Sequence, residues 1–251
     1  MRVASAHSWP LNALAAALLG AWAGHANALP TGAQPVAGNV SVARPDARTL
    51  NVTQRSDKAI VNWTAFNVGA GEAVNFAQPA VTSVILNRVI GGSYSEILGR
   101  ISANGQVFLV NPLGVTLGTG AHVDAAGFVA STLSISDSDF LSGRYVFSNA
   151  GNAGAVVNRG IINTESLAAL LAPQVANEGT ITARLGTVGL AAGDRVSLDF
   201  RGDGLVKFSV DKAAVDASIS NQGAVIAEGG QIVMSAQSAN AMLDTVINMK
   251  G

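Results

Sequence analysis

The sequence predicts an all-β fold of the solenoid kind, a right-handed parallel β-helix, on three observations. Short β-branched and aromatic runs, Val74-Asn75-Phe76, Val107 to Val110, Val196 to Phe200 and Gln231 to Met234, are each bounded by Gly, Asn or Pro. An Asn-x-Gly phrase recurs at Asn158-Arg159-Gly160, Asn177-Glu178-Gly179 and Asn221-Gln222-Gly223, with intervals of 19 residues (158 to 177) and 44 (177 to 221). The second interval reads as two steps of 22, so a unit of roughly twenty residues emerges, the size of one β-helical coil. Composition agrees: 28 Gly, 12% charged and 49% hydrophobic residues suit stacked coils with small residues at their corners.

In such a stack each coil lies about 4.8 Å above the last and pairs with it in parallel, so inward Val, Ile, Leu and Ala form continuous columns. Asn at a recurrent corner stacks its amide above and below and tolerates left-handed dihedrals, which makes Asn158, Asn177 and Asn221 an expected structural ladder. A second phrase, Gly followed by an alternating apolar run, falls at Gly105, Gly186 and Gly230. At roughly twenty residues per coil, the 223 residues after a 28-residue leader predict a rod of about 40 to 50 Å.

Taken in order, the elements begin with an export leader. Arg2 precedes the apolar stretch Leu11 to Trp22, and Ala26-Asn27-Ala28 fits a small-x-small cleavage site, so residues 1–28 read as a signal peptide and the mature chain as 29–251. Twelve apolar residues are too few to span a bilayer. The Pro-, Gly- and Ala-rich stretch from Leu29 to about Arg48 lacks periodicity and is placed over the first coil, whose open strand edge needs covering. From Trp63 to Leu133 short strands alternate with Gly- and Asn-marked turns. Helical signals are few: Glu165 to Leu171 and Ser238 to Leu243 are the best, both short excursions from a β framework. Thr245 to Asn248 reads as a last strand, with no capping device after it.

The stretch from Trp63 to Leu133 resembles one family, the secretion domain of two-partner secretion exoproteins, typified by the amino-terminal part of filamentous haemagglutinin. The landmarks are Trp63 to Gly69, Phe76 to Pro79, Leu86-Asn87-Arg88-Val89, Ile97 to Gly99, Ala103 to Val110, Asn111-Pro112 and Ala130 to Leu133. The likeness extends over roughly Val36 to Gly251. It implies a β-helix with an amino-terminal cap and some antiparallel strands outside the helix. It implies a bacterial protein exported through the periplasm to the cell surface or medium. The implied partner is an outer-membrane β-barrel transporter with periplasmic domains. The family's longer proteins carry a passenger after this domain, with outputs such as adhesion, haemolysis or growth inhibition, so host surfaces are partners only through that region.

Within the resemblance one motif is singled out for function, Asn111-Pro112-Leu113-Gly114-Val115. The family pattern there is Asn-Pro-Asn-Gly and an aliphatic residue, so Asn111, Pro112, Gly114 and Val115 match and Leu113 departs. Pro112 fixes one dihedral and Gly114 permits a positive one, giving a tight turn after an apolar strand. The turn serves either folding or direct recognition by the transporter.

Chemistry of other kinds finds little support. Removing Arg2 with the leader leaves 14 of the 15 basic residues against 16 acidic ones, a balance that points to neither nucleic acid nor an anionic membrane surface. His7 and His25 leave with the leader, and His122 stands in an alternating Gly120 to Asp124 strand with no metal or nucleophile motif around it. No cofactor is implied, and the chain does not read as an enzyme. Asp137 and Asp139 lie among Ser residues and read as solvated or as a helix cap. Arg201-Gly202-Asp203 matches an integrin-type tripeptide but sits between two alternating strands, where Gly-Asp-Gly is turn chemistry. The alternatives are a β-helical polysaccharide lyase or hydrolase, which needs a groove of acidic and basic residues, and an adhesin that binds host surfaces directly. The absence of cysteine places stability in core columns and backbone ladders.

Overall fold

The structure, a computed structural model, describes residues 28–151, 153–200, 206–239 and 247–249. Two antiparallel strands come first, β1 (Gln34–Ala37) and β2 (Val40–Asp46), and the coils then follow one another along the chain. The first holds β3 (Thr49–Gln54) and β4 (Lys58–Trp63). The second holds β5 (Ala73–Ala77), β6 (Val84–Val89) and β7 (Ser95–Ile97), and the third β8 (Arg100–Ala103), β9 (Gln106–Val110) and β10 (Val115–Leu117). In the fourth, β11 (His122–Ser131) bends through a corner. An excursion of α1 (Asp137–Ser142) and β12 (Tyr145–Ser148) then precedes β13 (Ala155–Asn158). The fifth comprises β14 (Ile161–Ala172) and β15 (Gln174–Asn177). The sixth runs through β16 (Thr180–Ala183) and β17 (Thr187–Ala192), leaves the stack as the pair β18 (Arg195–Asp199) and β19 (Lys207–Lys212), and returns as β20 (Ser218–Asn221). The last described coil holds β21 (Ala224–Ala227), β22 (Gln231–Ala236) and β23 (Ile247–Met249).

These strands build three parallel faces, as expected of a β-helix. The first face stacks β3, β5, β8, the start of β11, the start of β14, β16 and β21. The second stacks β4, β6, β9, the ends of β11 and β14, β17 and β22. The third stacks β7, β10, β13, β15, β20 and β23. Register converts the alternating pattern into columns. Leu50, Val74, Ile101, Val123, Ile162 and Ile181 lie one above another inside the first face, and Val115, Val156, Val175 and Ile219 inside the third. All ten are buried, and at roughly 1.5–3 kcal/mol per buried aliphatic side chain these columns are the main favourable contribution to the fold.

The Pro- and Gly-rich leading segment does cover the first coil. β1 pairs antiparallel with β4 and β2 antiparallel with β3, so both open edges of the first coil are satisfied by strands running the opposite way. Leu29 is buried in the end of the coil, and Arg44 fastens the segment by donating from Nη2 to the Pro30 carbonyl at 2.6 Å.

Four sequence expectations change. The 44-residue step is a single coil, because Asn177 stands in register with Asn221; the extra length is the β18–β19 pair. The fourth coil is likewise long, 39 residues between Asp124 and Asn163, because it carries α1 and β12. With seven rungs on the first face among the described residues, six spacings of about 4.8 Å give a described stack near 30 Å, shorter than the 40 to 50 Å expected of residues 29–251. Glu165 to Leu171, expected to be helical, lies within β14: Ala and Leu favour helix on their own, but β11 and β17 pair with this segment on both sides and decide its state. Of the other helical candidate, Ser238 forms an isolated bridge and residues 240–243 lie outside the described residues, as do Arg201-Gly202-Asp203 and residues 245–246 of the expected last strand.

The two excursions meet. β12 pairs antiparallel with β18, and β18 with β19, forming a three-stranded sheet outside the helix against its second face. Beneath it the outward side chains of that face form another column in register, Ile60, Leu86, Phe108, Val129, Ala169 and Gly189. This is a second apolar core. Phe108 packs edge-on against Phe140 with ring centroids 5.9 Å apart, and Tyr145 and Phe147 complete the cluster. Burial pushes the Tyr145 phenol up from its ordinary pKa of 10.0. At its sixth position the column narrows to glycine because the excursion passes close there: a Cβ on Gly189 would lie 1.9 Å from Cζ of Phe208.

Candidate functional site

Asn111 directly follows β9, at the corner where the third coil passes from its second face to its third. Its carbonyl accepts from the Gly114 amide at 3.1 Å and its side-chain Oδ1 from the Leu113 amide at 3.0 Å, so an Asx turn lies inside a β-turn. Its Nδ2 donates to the Ser93 carbonyl and to Ser95 Oγ, both at 3.0 Å. These are residues of the coil below, so one amide closes its own turn and ties it to the preceding one. The side chain is 0% exposed. Gly114 takes φ of 135°, where a side chain is disfavoured. The Pro112 carbonyl accepts from Gly154 of the coil above at 2.8 Å, and Val115 enters the buried column of the third face. Leu113 alone points outward, 49% exposed.

The asparagine ladder sits at the other end of the third face. Asn158, Asn177 and Asn221 are the last residues of β13, β15 and β20 and stand in register. Asn158 Nδ2 donates to Asn177 Oδ1 at 2.8 Å, and Asn177 Nδ2 to Asn221 Oδ1 at 2.7 Å. Among the described residues no non-glycine residue has a positive φ, so these asparagines contribute amide stacking and no left-handed turn. The glycines that follow are required by close approach. A Cβ on Gly179 would lie 2.1 Å from the Gly160 carbonyl oxygen, and one on Gly223 2.0 Å from that of Gly179. Gly186 and Gly230 of the second repeated phrase are held in the same way, with 1.5 and 1.8 Å to carbonyl oxygens beneath them.

His122 begins β11, half-exposed, with Nε2 3.1 Å from Asp124 Oδ2; Arg100 from the coil below donates to the same oxygen. Asp137 and Asp139 open α1, whose cap is Ser136. The Ser136 hydroxyl and then Arg144 hold the Asp139 carboxyl below its ordinary 3.8, and Asp137 pairs with Arg88 at 2.6 Å. No group of three or more His, Cys, Asp or Glu side chains that could hold a metal occurs among the described residues. Sequence reasoning missed the second apolar core. Its signal was present in the two over-long coil intervals and in the alternating Tyr145-Val146-Phe147 and Val196 to Phe200.

Comparison with known proteins agrees with this geometry. Residues 26–251 match the TPS secretion domain. The chain belongs to that family. The TPS secretion domain of HMW1 from Haemophilus influenzae superimposes with a TM-score of 0.73 at 30% identity, covering 82% of this chain and 57% of that one. The heme/hemopexin-binding protein of H. influenzae is 29% identical over 233 residues, 89% of this chain and 25% of its own length. A second H. influenzae protein of the same name is 36% identical over 126 residues, 50% of this chain and 14% of its length. The chain therefore spans a quarter or less of the curated relatives it matches. As a TPS secretion domain it is the secretion-targeting part of a two-partner secretion exoprotein, a non-enzymatic role. Domains of this family pair with an outer-membrane transporter of the TpsB class, and their exoproteins are secreted across the outer membrane of Gram-negative bacteria.

Proposed function

We propose that residues 29–251 act as one secretion unit, reaching the periplasmic domains of a cognate barrel transporter in an extended state and folding outward from the capped first coil after export. An extended segment offers its backbone to a partner's sheet edge by β-augmentation, a mode that tolerates the low charge of this chain. The observation that carries the reading is that every parallel pairing joins one coil to the next, so the stack is built in short steps from a closed end.

In this reading Asn111, Pro112, Gly114 and Val115 serve folding. Asn111 spends its amide on three internal bonds and presents no surface to a partner in the folded domain. Asn158, Asn177 and Asn221 are scaffold in the same sense. Replacing Asn111 by Ala strands Ser95 Oγ, the Ser93 carbonyl and the Leu113 amide, at about 1–3 kcal/mol for each group that stays unpaired. The test pairs secretion with stability. Asn111→Ala should lower both the denaturant midpoint of the purified domain and its export by the matching transporter. Unchanged stability with weakened transporter binding would move the motif from folding to recognition. Normal values of both would remove it from either role.

A further inference from the structure

Glu72, in the turn before β5, is 6% exposed and meets no cation among the described residues. Its carboxylate accepts two backbone amides, Gly69 at 2.7 Å on Oε2 and Ala28 at 3.0 Å on Oε1. A buried carboxylate with only neutral donors is an expensive arrangement, and one of its two donors lies at the point where the sequence places leader cleavage. The chain there is pinned. Leu29 is buried, Thr31 bridges Ala65, and the carbonyls of Leu29 and Pro30 accept from Arg44. Arg44 is thus engaged with carbonyl oxygens and leaves Glu72 without a counter-charge.

We infer that Glu72 is the receptor carboxylate for the free amino terminus of the mature chain. The inference rests on the leader reading. Hydrolysis of the Ala28–Leu29 peptide bond adds water across it, leaving a carboxylate on the departing leader and an ammonium on Leu29. That nitrogen is one residue, less than about 3.8 Å of chain, from the amide that Glu72 holds in the uncleaved chain. The ammonium replaces a neutral donor by a charged one and supplies the missing opposite charge. Removal of the leader then strengthens the cap over the first coil, and a chain that keeps its leader lacks this contact.

The test uses mature chains that begin at Leu29 or carry Gly-Ser ahead of it, each with Glu72 and with Glu72→Gln. The extension should lower the folding equilibrium constant at least about 5-fold with Glu72 present, since hydrogen bonds to charged groups are the strong ones, and less than about 2-fold in Glu72→Gln. Equal effects in the two backgrounds would overturn the clamp. If Glu72→Gln does not fold, Glu72→Asp, which keeps the charge on a shorter stem, should fold and retain part of the extension effect; its failing to do so has the same force. The mass of the exported chain is read separately. A start at Leu29 or Ala28 supports the clamp, and a retained leader or an earlier start sinks it. Export of Glu72→Gln by the transporter reports on the secretion reading alone, so the two ideas fail independently.

Discussion

Asn177→Ala removes the middle rung of the asparagine ladder. In the native chain Asn177 Oδ1 accepts from Asn158 Nδ2 at 2.8 Å and Asn177 Nδ2 donates to Asn221 Oδ1 at 2.7 Å, with Asn158 and Asn177 0% and Asn221 7% exposed. Truncation leaves a buried donor on Asn158 and a buried acceptor on Asn221, each costing about 1–3 kcal/mol unless water enters. Two such groups predict a loss of about 2–6 kcal/mol, a large share of the 5–15 kcal/mol typical of a domain. Urea unfolding measures it: the midpoint should fall by about 1–4 M for a slope near 1.5–2 kcal/mol/M. Asn177→Asp sharpens the reading. It keeps the acceptor for Asn158 but turns a carboxylate oxygen toward Asn221 Oδ1, so it should be at least as destabilising as Ala. A loss below about 0.5 kcal/mol in Asn177→Ala would refute the ladder as a source of stability and leave the stacked glycines and backbone pairs to hold that corner.

Two further outcomes follow from the excursions. Gly189→Val should displace Phe208 and the β18–β19 pair, since even a Cβ at 189 meets the Phe208 ring at 1.9 Å; limited proteolysis should cut between 195 and 212 while the coil stack resists, and an unchanged digestion pattern would contradict the packing. Asp139 has its carboxyl held down first by the Ser136 hydroxyl and then by Arg144, so its folded pKa lies below the unfolded value. Its contribution is therefore present above about pH 3.8 and lost as pH falls through the folded pKa; acid titration should loosen α1 in that window, and Asp139→Asn should abolish the pH dependence.

Much of the coil stack was legible because its rules are local. Asn158 and Asn177 are neighbours in space because one coil of uniform length separates them, and the same phrase at 221 announced a third rung. What the interval of 44 could not reveal was whether the chain made two turns or one turn and a detour. Both cost the same number of residues, and only pairing distinguishes them. Glu165 to Leu171 was misread for a related reason: Ser166, Leu167 and Ala168 sit at a corner where inward and outward sides exchange, so the strand shows no clean period of two. The buried role of Asn111 was half visible. The sequence pattern marks a turn, but the bonds to Ser93 and Ser95 come from a coil 16 to 18 residues earlier and leave no trace in the motif itself.

The detours also set an order on folding. Asn111 to Ser95 spans 16 residues and Asn158 to Asn177 spans 19, whereas the Lys58 ammonium reaches the Leu141 carbonyl across 83. Loop closure costs more as separation grows, so the coils are the early contacts and the second core the late one. Until α1 and β12 arrive, Ile60, Leu86, Phe108 and Val129 present an unbroken apolar column on the outside of the first four coils. That surface exists only while the domain is incomplete. Under the proposed export in an extended state, placing Phe140 and Phe147, both 0% exposed, after the strands β4, β6, β9 and β11 that they cover makes this part of the second core a late one. The coil ladder makes folding easy to start at the capped end, and the excursions delay its completion until the chain beyond Tyr145 is available.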